Sequence, residues 1–74
     1  MSLTREHYRI IDILRRHGEM NITRISRLSG LGYRTTLKKL EELVELGLVE
    51  ERRFGRLRLF RLKGRLLGEN VRHY

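Results

Sequence analysis

The chain has 74 residues, with 17 Lys and Arg against 9 Asp and Glu, a formal net charge of +8, and no cysteine. That length makes one domain with a modest core, burying about 60 % of the unfolded surface, so a partner subunit is a common supplement. Without cysteine there are no disulfides or thiolate metal sites, no apolar run nears the ~18 residues that span a bilayer, and "MSLTREHYRI" lacks the hydrophobic segment of a secretion signal, which makes the cytoplasm the expected location.

The first helix opens at Thr4, an N-cap residue, with Leu3 before it and Tyr8 at the spacing of a hydrophobic staple. Tyr8, Ile10, Ile11, Ile13 and Leu14 supply its apolar residues, Glu6 and Asp12 its polar side, and Gly18 its stop, while Arg15, Arg16 and His17 complement the dipole in its last turn. Glu19-Met20 reads as a short extended link. Asn21 then caps a second helix with Ile22, Ile25 and Leu28 as its buried stripe and Gly30 as its end. Its length of about two turns cannot hold alone, so it must pack on its neighbours. After the tight turn "GLG" a third helix runs from about Tyr33 to Leu46, stopped by Gly47, and two helices joined this way form a helix-turn-helix. At 100° per residue Tyr33, Thr36, Leu37, Leu40, Leu43 and Val44 share its inner face, with Tyr33 at the core edge. Arg34, Lys38, Glu41, Glu42 and Glu45 lie opposite, and Thr35 and Lys39 flank that outer face.

Beyond Gly47 the period changes to that of strands. "LVEER" and "LRLFRL" flank "RFGR", a hairpin with Phe54-Gly55 at its tip, which sets Arg53 opposite Arg56, Glu51 opposite Arg58 and Val49 opposite Phe60. Val49, Phe60 and Leu62 face the helices, Glu51 and Arg58 form a cross-strand ion pair, and Leu57 and Leu59 are left bare. Residues 1–64 make the domain. The remainder, 65–74, is a weakly helical tail in which Leu66, Leu67, Val71 and Tyr74 form a loose apolar stripe.

The charges are sorted. Residues 20–40 hold five bases and no acid, and residues 41–51 hold five glutamates and no base. A solvated helix prefers acid early and base late, and each charge at the wrong end forfeits roughly 0.3–1 kcal/mol, so the reversed order on the third helix argues for an external anion. Fourteen of the bases are arginine, the residue suited to bidentate phosphate and guanine contacts. Nucleic acid, an anionic membrane and an acidic protein are the polyanions such a surplus attracts. The membrane would need a basic helix with a broad exposed apolar face, and none is found.

Three helices followed by two strands are the layout of a winged helix. "ITRISRLSGLGYRTTLKKLEELVELGLVE" resembles the helix-turn-helix of the MarR, ArsR and related winged-helix regulators of bacteria and archaea, through Leu40, Leu43, Gly47, Leu48 and Val49, and "RRFGRLRLFRLKG" resembles their wing, with Phe60 and Leu62 at the aromatic and leucine positions. The likeness covers residues 4–64. Two departures stand out: Gly32 replaces the usual Ser or Thr cap of the third helix, and the long terminal helices through which these families dimerise have no full counterpart.

The resemblance implies an α+β, mostly helical fold, a three-helix winged helix-turn-helix with a two-stranded hairpin wing and a short C-terminal tail. It implies double-stranded DNA as partner and transcriptional regulation as function, with the third helix in the major groove. Arg34, Thr35, Lys38 and Lys39 would meet DNA there, Arg34 as the best base contact. Arg24 and Arg27 on the second helix would meet the backbone, and Arg52, Arg53, Arg56 and Arg58 would bring the wing to phosphates or the minor groove. The tail either closes the outer sheet face or joins two subunits as a homodimer. His7, His17 and His73 share no metal-ligand spacing. No cofactor, no catalytic pair and no small-molecule ligand is expected. The rival readings are a sequence-neutral chromatin-type or RNA-binding winged helix, and one that docks an acidic protein.

Overall fold

The computed structural model describes residues 2–64, as α1 (Arg5–His17), β1 (Met20–Asn21), α2 (Ile22–Ser29), α3 (Tyr33–Glu45), β2 (Val49–Phe54) and β3 (Leu57–Leu62). α1 begins where Thr4 accepts the His7 backbone N–H and the Thr4 N–H is taken in return by the His7 ring, a capping box closed by histidine. Its buried face is His7, Ile10, Ile13 and Leu14. Tyr8 lies one residue, or 100°, off that stripe and is 59 % exposed, outside the core that Leu3 packs against.

Asn21 caps α2 by accepting the Arg24 N–H at 2.9 Å. The buried stripe of α2 is Ile22, Ile25 and Ser29, and Leu28, expected inside, is 40 % exposed. Ser29 takes the inner place because the turn satisfies it: its hydroxyl donates to the Ser26 carbonyl and accepts the Leu31 N–H, both at 3.1 Å. Gly30, at φ +77°, then reverses the chain in the left-handed region. α3 starts at Gly32 without a side-chain cap and buries Thr36, Leu40 and Leu43, but Tyr33 is 52 % exposed rather than at the core edge.

The sheet has three strands, in the antiparallel order β1-β3-β2. The link Glu19-Met20 thus leads into a strand of its own, with Met20 paired to Phe60 and Asn21 to Leu59. Two residues carry no alternation to read. The hairpin is present, but its tip is Gly55-Arg56: Phe54 pairs with Leu57, Arg53 with Arg58, Glu51 with Phe60 and Val49 with Leu62. Gly55 has φ +63° and Arg56 does not, the pattern of a II′ turn with glycine first; a tip at Phe54-Gly55 would ask a phenylalanine for that conformation. The two-residue shift keeps every side chain on its expected face.

The helices pack on one face of this sheet, around Ile10, Leu14, Ile25, Leu40, Leu43, Val49, Phe60 and Leu62, all at most 2 % exposed. Leu59 is half-buried and Leu57 exposed. Among the described residues no helix is long and apolar enough to cross a membrane. The weakly helical tail over 65–74 and its proposed contact role lie outside the described residues.

Candidate nucleic-acid interface

α3 presents its residues by helical arithmetic. Arg34 and Lys38, one turn apart, are exposed and have no ion-pair partner among the described residues; Thr35 is half-buried beside them. The first turn of α3 contains no acid and its N-cap has no side-chain acceptor, so the positive end of the helix dipole adds to Arg34 rather than being compensated. Exposed Glu41 and Glu45 occupy the second half.

Lys39 and Glu42 depart from expectation. Lys39 lies three residues on from Thr36 and Glu42 three on from Lys39, on the flank that meets α1. Lys39 is 16 % exposed, its Nζ 3.6 Å from Glu6 and 3.8 Å from Glu42. Glu42, expected on the outer face, accepts a 2.7 Å hydrogen bond from His7 Nε2. The Thr4 N–H aimed at Nδ1 assigns the ring proton to Nε2. The His7 bond, then the nearby Lys39 charge, holds the Glu42 carboxyl below the ordinary glutamate range despite its partial burial. This network joins the start of α1 to the middle of α3. The sequence carried one signal for it, a histidine in phase with Ile10 and Leu14.

The wing divides its arginines between free and held. Arg56, at the tip, is exposed and has no ion-pair partner among the described residues. Arg58 donates to Glu51 at 2.6 Å and lies 5.6 Å over the Phe60 ring. Arg53 donates to the same carboxylate at 3.0 Å but is far more exposed. Arg52 makes a two-pronged contact with Glu19, at 2.8 and 3.2 Å, and lies 5.3 Å over the Phe54 ring. Glu51 and Arg58, expected opposite each other, are diagonal neighbours in the actual register, still on one face. On the other face Glu50 accepts from Arg61 at 2.9 Å. Arg58 holds the Glu51 carboxyl below its ordinary range, and Arg61 does the same for Glu50.

α2 supplies Arg24 and Arg27, both exposed and unpaired among the described residues. The elements converge at a cleft of about 220 Å³ lined by Asn21, Ile22, Thr23, Tyr33, Arg56, Leu57 and Arg58. The start of α2, the first turn of α3 and the wing therefore share one flank. The cleft also explains Tyr33, whose ring stands at the α3 side of it. Lys39 is turned away, and Arg52 and Arg58 come to the wing already engaged. Among the described residues no three His, Asp or Glu side chains gather at a metal-sized site.

A family model described as winged helix-turn-helix DNA-binding matches residues 5–50, more than half of the chain. No curated protein matches the sequence. Among solved structures, a possible transcriptional regulatory protein from Mycobacterium bovis is 31 % identical, with a TM-score of 0.74 over 92 % of this chain and 68 % of its own. The homodimeric winged helix-turn-helix DNA-binding domain of Mb0332 from the same organism, a possible ArsR-family transcriptional regulator, is 29 % identical, with a TM-score of 0.75 over 88 % of this chain and 59 % of its own. NMB1585, a MarR family regulator from Neisseria meningitidis, shares the fold at 20 % identity and a TM-score of 0.77, over 89 % of this chain and 49 % of its own. Of the first solved structures that it matches, the chain spans about half the length, 53 %, 57 % and 46 %.

Proposed function

The chain belongs to the winged helix-turn-helix DNA-binding family, and on that premise we propose that it binds double-stranded DNA as a transcriptional regulator acting at the nucleoid in the cytoplasm. α3 enters the major groove, where Arg34 bridges guanine O6 and N7 and Thr35 and Lys38 touch bases or phosphates. Arg24 and Arg27 hold the backbone beside it. Arg56, and Arg53 on release from Glu51, bring the wing to the phosphates or the minor groove. Lys39 is left out of the contact set because α1 occupies it. The carrying observation is the cleft that Tyr33 of α3, Thr23 of α2 and Arg56 of the wing line together, with Arg24 and Arg34 next in sequence to two of those residues.

The protein acts as a homodimer in this reading, supported by the homodimeric domain that is 29 % identical to it. A two-fold pair reads half-sites about one helical turn apart. No catalytic chemistry is assigned.

Selection of bound sites from random duplexes, followed by competition at fixed salt, tests the proposal. The selected duplex is expected to bind about a thousandfold tighter than random duplex, with two-fold symmetry in the selected sequence. Equal binding of selected and random duplex would replace regulation by sequence-neutral packaging, preference for structured RNA would move the substrate class, and no duplex affinity at moderate salt would leave a module that docks an acidic protein.

A further inference from the structure

A carboxylate set between the third helix and the wing tip is an odd occupant of a surface meant for phosphates. Glu51 is such a group. It is 19 % exposed, shares its face of the sheet with Phe60 and Arg58, and accepts from both Arg58 (2.6 Å) and Arg53 (3.0 Å). Arg58 in turn lines the cleft with Tyr33 and Arg56. Its hydrogen bond keeps the Glu51 carboxyl below the ordinary glutamate range, so the acid stays charged at neutral pH. By contrast Arg34, Lys38 and Arg56 make no ion pair among the described residues, although Lys38 adds to the field that lowers the Glu42 carboxyl.

We propose that Glu51 is a specificity-determining residue, an internal counter-anion that withholds Arg58 from DNA phosphates and competes with them for Arg53. The inference rests on the duplex-binding reading above. Phosphate contacts strengthen binding to every duplex alike through release of counterions, whereas base contacts discriminate. A guanidinium already neutralised by Glu51 does not replace a cation condensed on the DNA, and a phosphate gains it only by displacing the carboxylate. Glu51 therefore lowers the sequence-blind part of the affinity and leaves the readout by α3 a larger share.

Glu51→Gln tests this, since glutamine keeps the size and an acceptor oxygen. Glu45→Gln is the control: Glu45 is exposed on the last turn of α3 with no ion-pair partner among the described residues, and its loss adds the same unit of charge. Affinity for random duplex is measured across a salt series, with elution from heparin as a second polyanion and thermal melting to establish folding. The expected result is a salt dependence for Glu51→Gln steeper than that of Glu45→Gln by roughly 0.9 log units per decade of salt for each arginine released. Preference for the selected site falls, and Arg58→Gln in the Glu51→Gln background withdraws part of the gain. A folded Glu51→Gln protein with the salt dependence of the control, or with weaker binding to every duplex, overturns the proposal and leaves Glu51 as a hairpin tie. Should Glu51→Gln melt early, Glu51→Thr, a better strand former, repeats the comparison. A wild-type protein that binds no duplex while Glu51→Gln elutes later than the control from heparin overturns the functional reading and upholds the counter-anion. No shift on heparin overturns the counter-anion whatever DNA does.

Discussion

On α3 the acids follow the bases along the helix axis, and Arg34 and Lys38 make no ion pair with Glu41 or Glu45. On the wing acids are brought across the sheet onto the arginines, Glu51 onto Arg58 and Glu19, from the approach to β1, onto Arg52, while Glu51 also holds Arg53 two residues along its own strand. The first half of α3 and the wing are both basic by count, yet Arg34 and Lys38 make no ion pair among the described residues, whereas Arg52, Arg53 and Arg58 of the wing all do. A run of like charge is a statement about available phosphate contacts only after partners from other strands have been placed. Along a helix those partners lie three or four residues away, whereas Glu19 lies 33 positions from Arg52.

The largest effect that would break this comparison is loss of the platform beneath the wing. Phe60 is wholly buried, pairs with Met20 and Glu51 from two sides, and carries Arg58 over its ring. Phe60→Ala is expected to cost about 3–5 kcal/mol, a large share of the 5–15 kcal/mol that a domain typically holds, read by thermal or urea denaturation. A loss below about 1 kcal/mol would mean that the wing stands apart from the core.

Next in size is the separation of roles between helix and wing. Arg34→Ala should weaken the selected duplex by about 1–3 kcal/mol and relax its preference at the contacted position. Arg56→Ala should weaken selected and random duplexes alike and lower the salt slope by roughly 0.9. Titrations of both variants on both duplexes over a salt series decide it. Equal losses on random and selected DNA for Arg34→Ala would remove the distinction between reading and gripping.

These predictions use features of unequal legibility. The three helices, the Thr4 and Asn21 caps and the inner face of α3 apart from exposed Tyr33 followed from helical period and capping chemistry, because both are local. Tyr8 and Leu28 were expected inside since they are apolar, but burial follows phase, and His7 and Ser29 hold the inner positions. Their polarity is tolerated because Thr4 and Glu42 satisfy the imidazole and the turn satisfies the serine. The strand faces were readable and the register was not, because a two-residue shift conserves the alternation and only the backbone demand at Gly55 selects the turn. For the site, the free cations on α2, α3 and the wing tip could be proposed from charge order alone. The capture of Lys39 by Glu6, and of Arg52 by Glu19, needed the packing of α1 on α3 and of β1 on β3.

The pairing of α1 with α3 gives a smaller, pH-dependent effect. The Glu42 carboxyl is held below its ordinary 4.5, chiefly by the hydrogen bond from His7. A depressed folded value means that the stabilisation is complete above the ordinary value and is lost as the pH falls through the lower one. Glu42→Gln keeps an acceptor for His7 but cannot titrate. Its melting temperature is expected to decline less than that of the wild type between pH 5 and the acid limit, as read by circular dichroism. Parallel curves would show that this contact contributes nothing as an ion. Glu50, Glu51 and Asp12, held low by their arginines, keep part of the acid sensitivity in both proteins.

The smallest effect tests whether the bare start of α3 is left open for a phosphate or is simply imperfect. Gly32 has φ −65° and ψ 161°, a conformation open to any residue, and a Cβ there meets nothing within 4 Å. Gly32→Ser and Gly32→Asp both add a side-chain acceptor for the first N–H groups, and each should stabilise by about 0.3 kcal/mol, with the aspartate gaining further from the dipole. Their effects on DNA should diverge. The aspartate sets a carboxylate two positions from Arg34, at the end of the helix that meets the duplex, so it should weaken every duplex several-fold while raising the melting temperature. The serine should raise the melting temperature with little loss of affinity. A Gly32→Asp protein that is both more stable and equally tight on DNA would place the duplex away from the first turn of α3, and the free cations of the helix would need another partner.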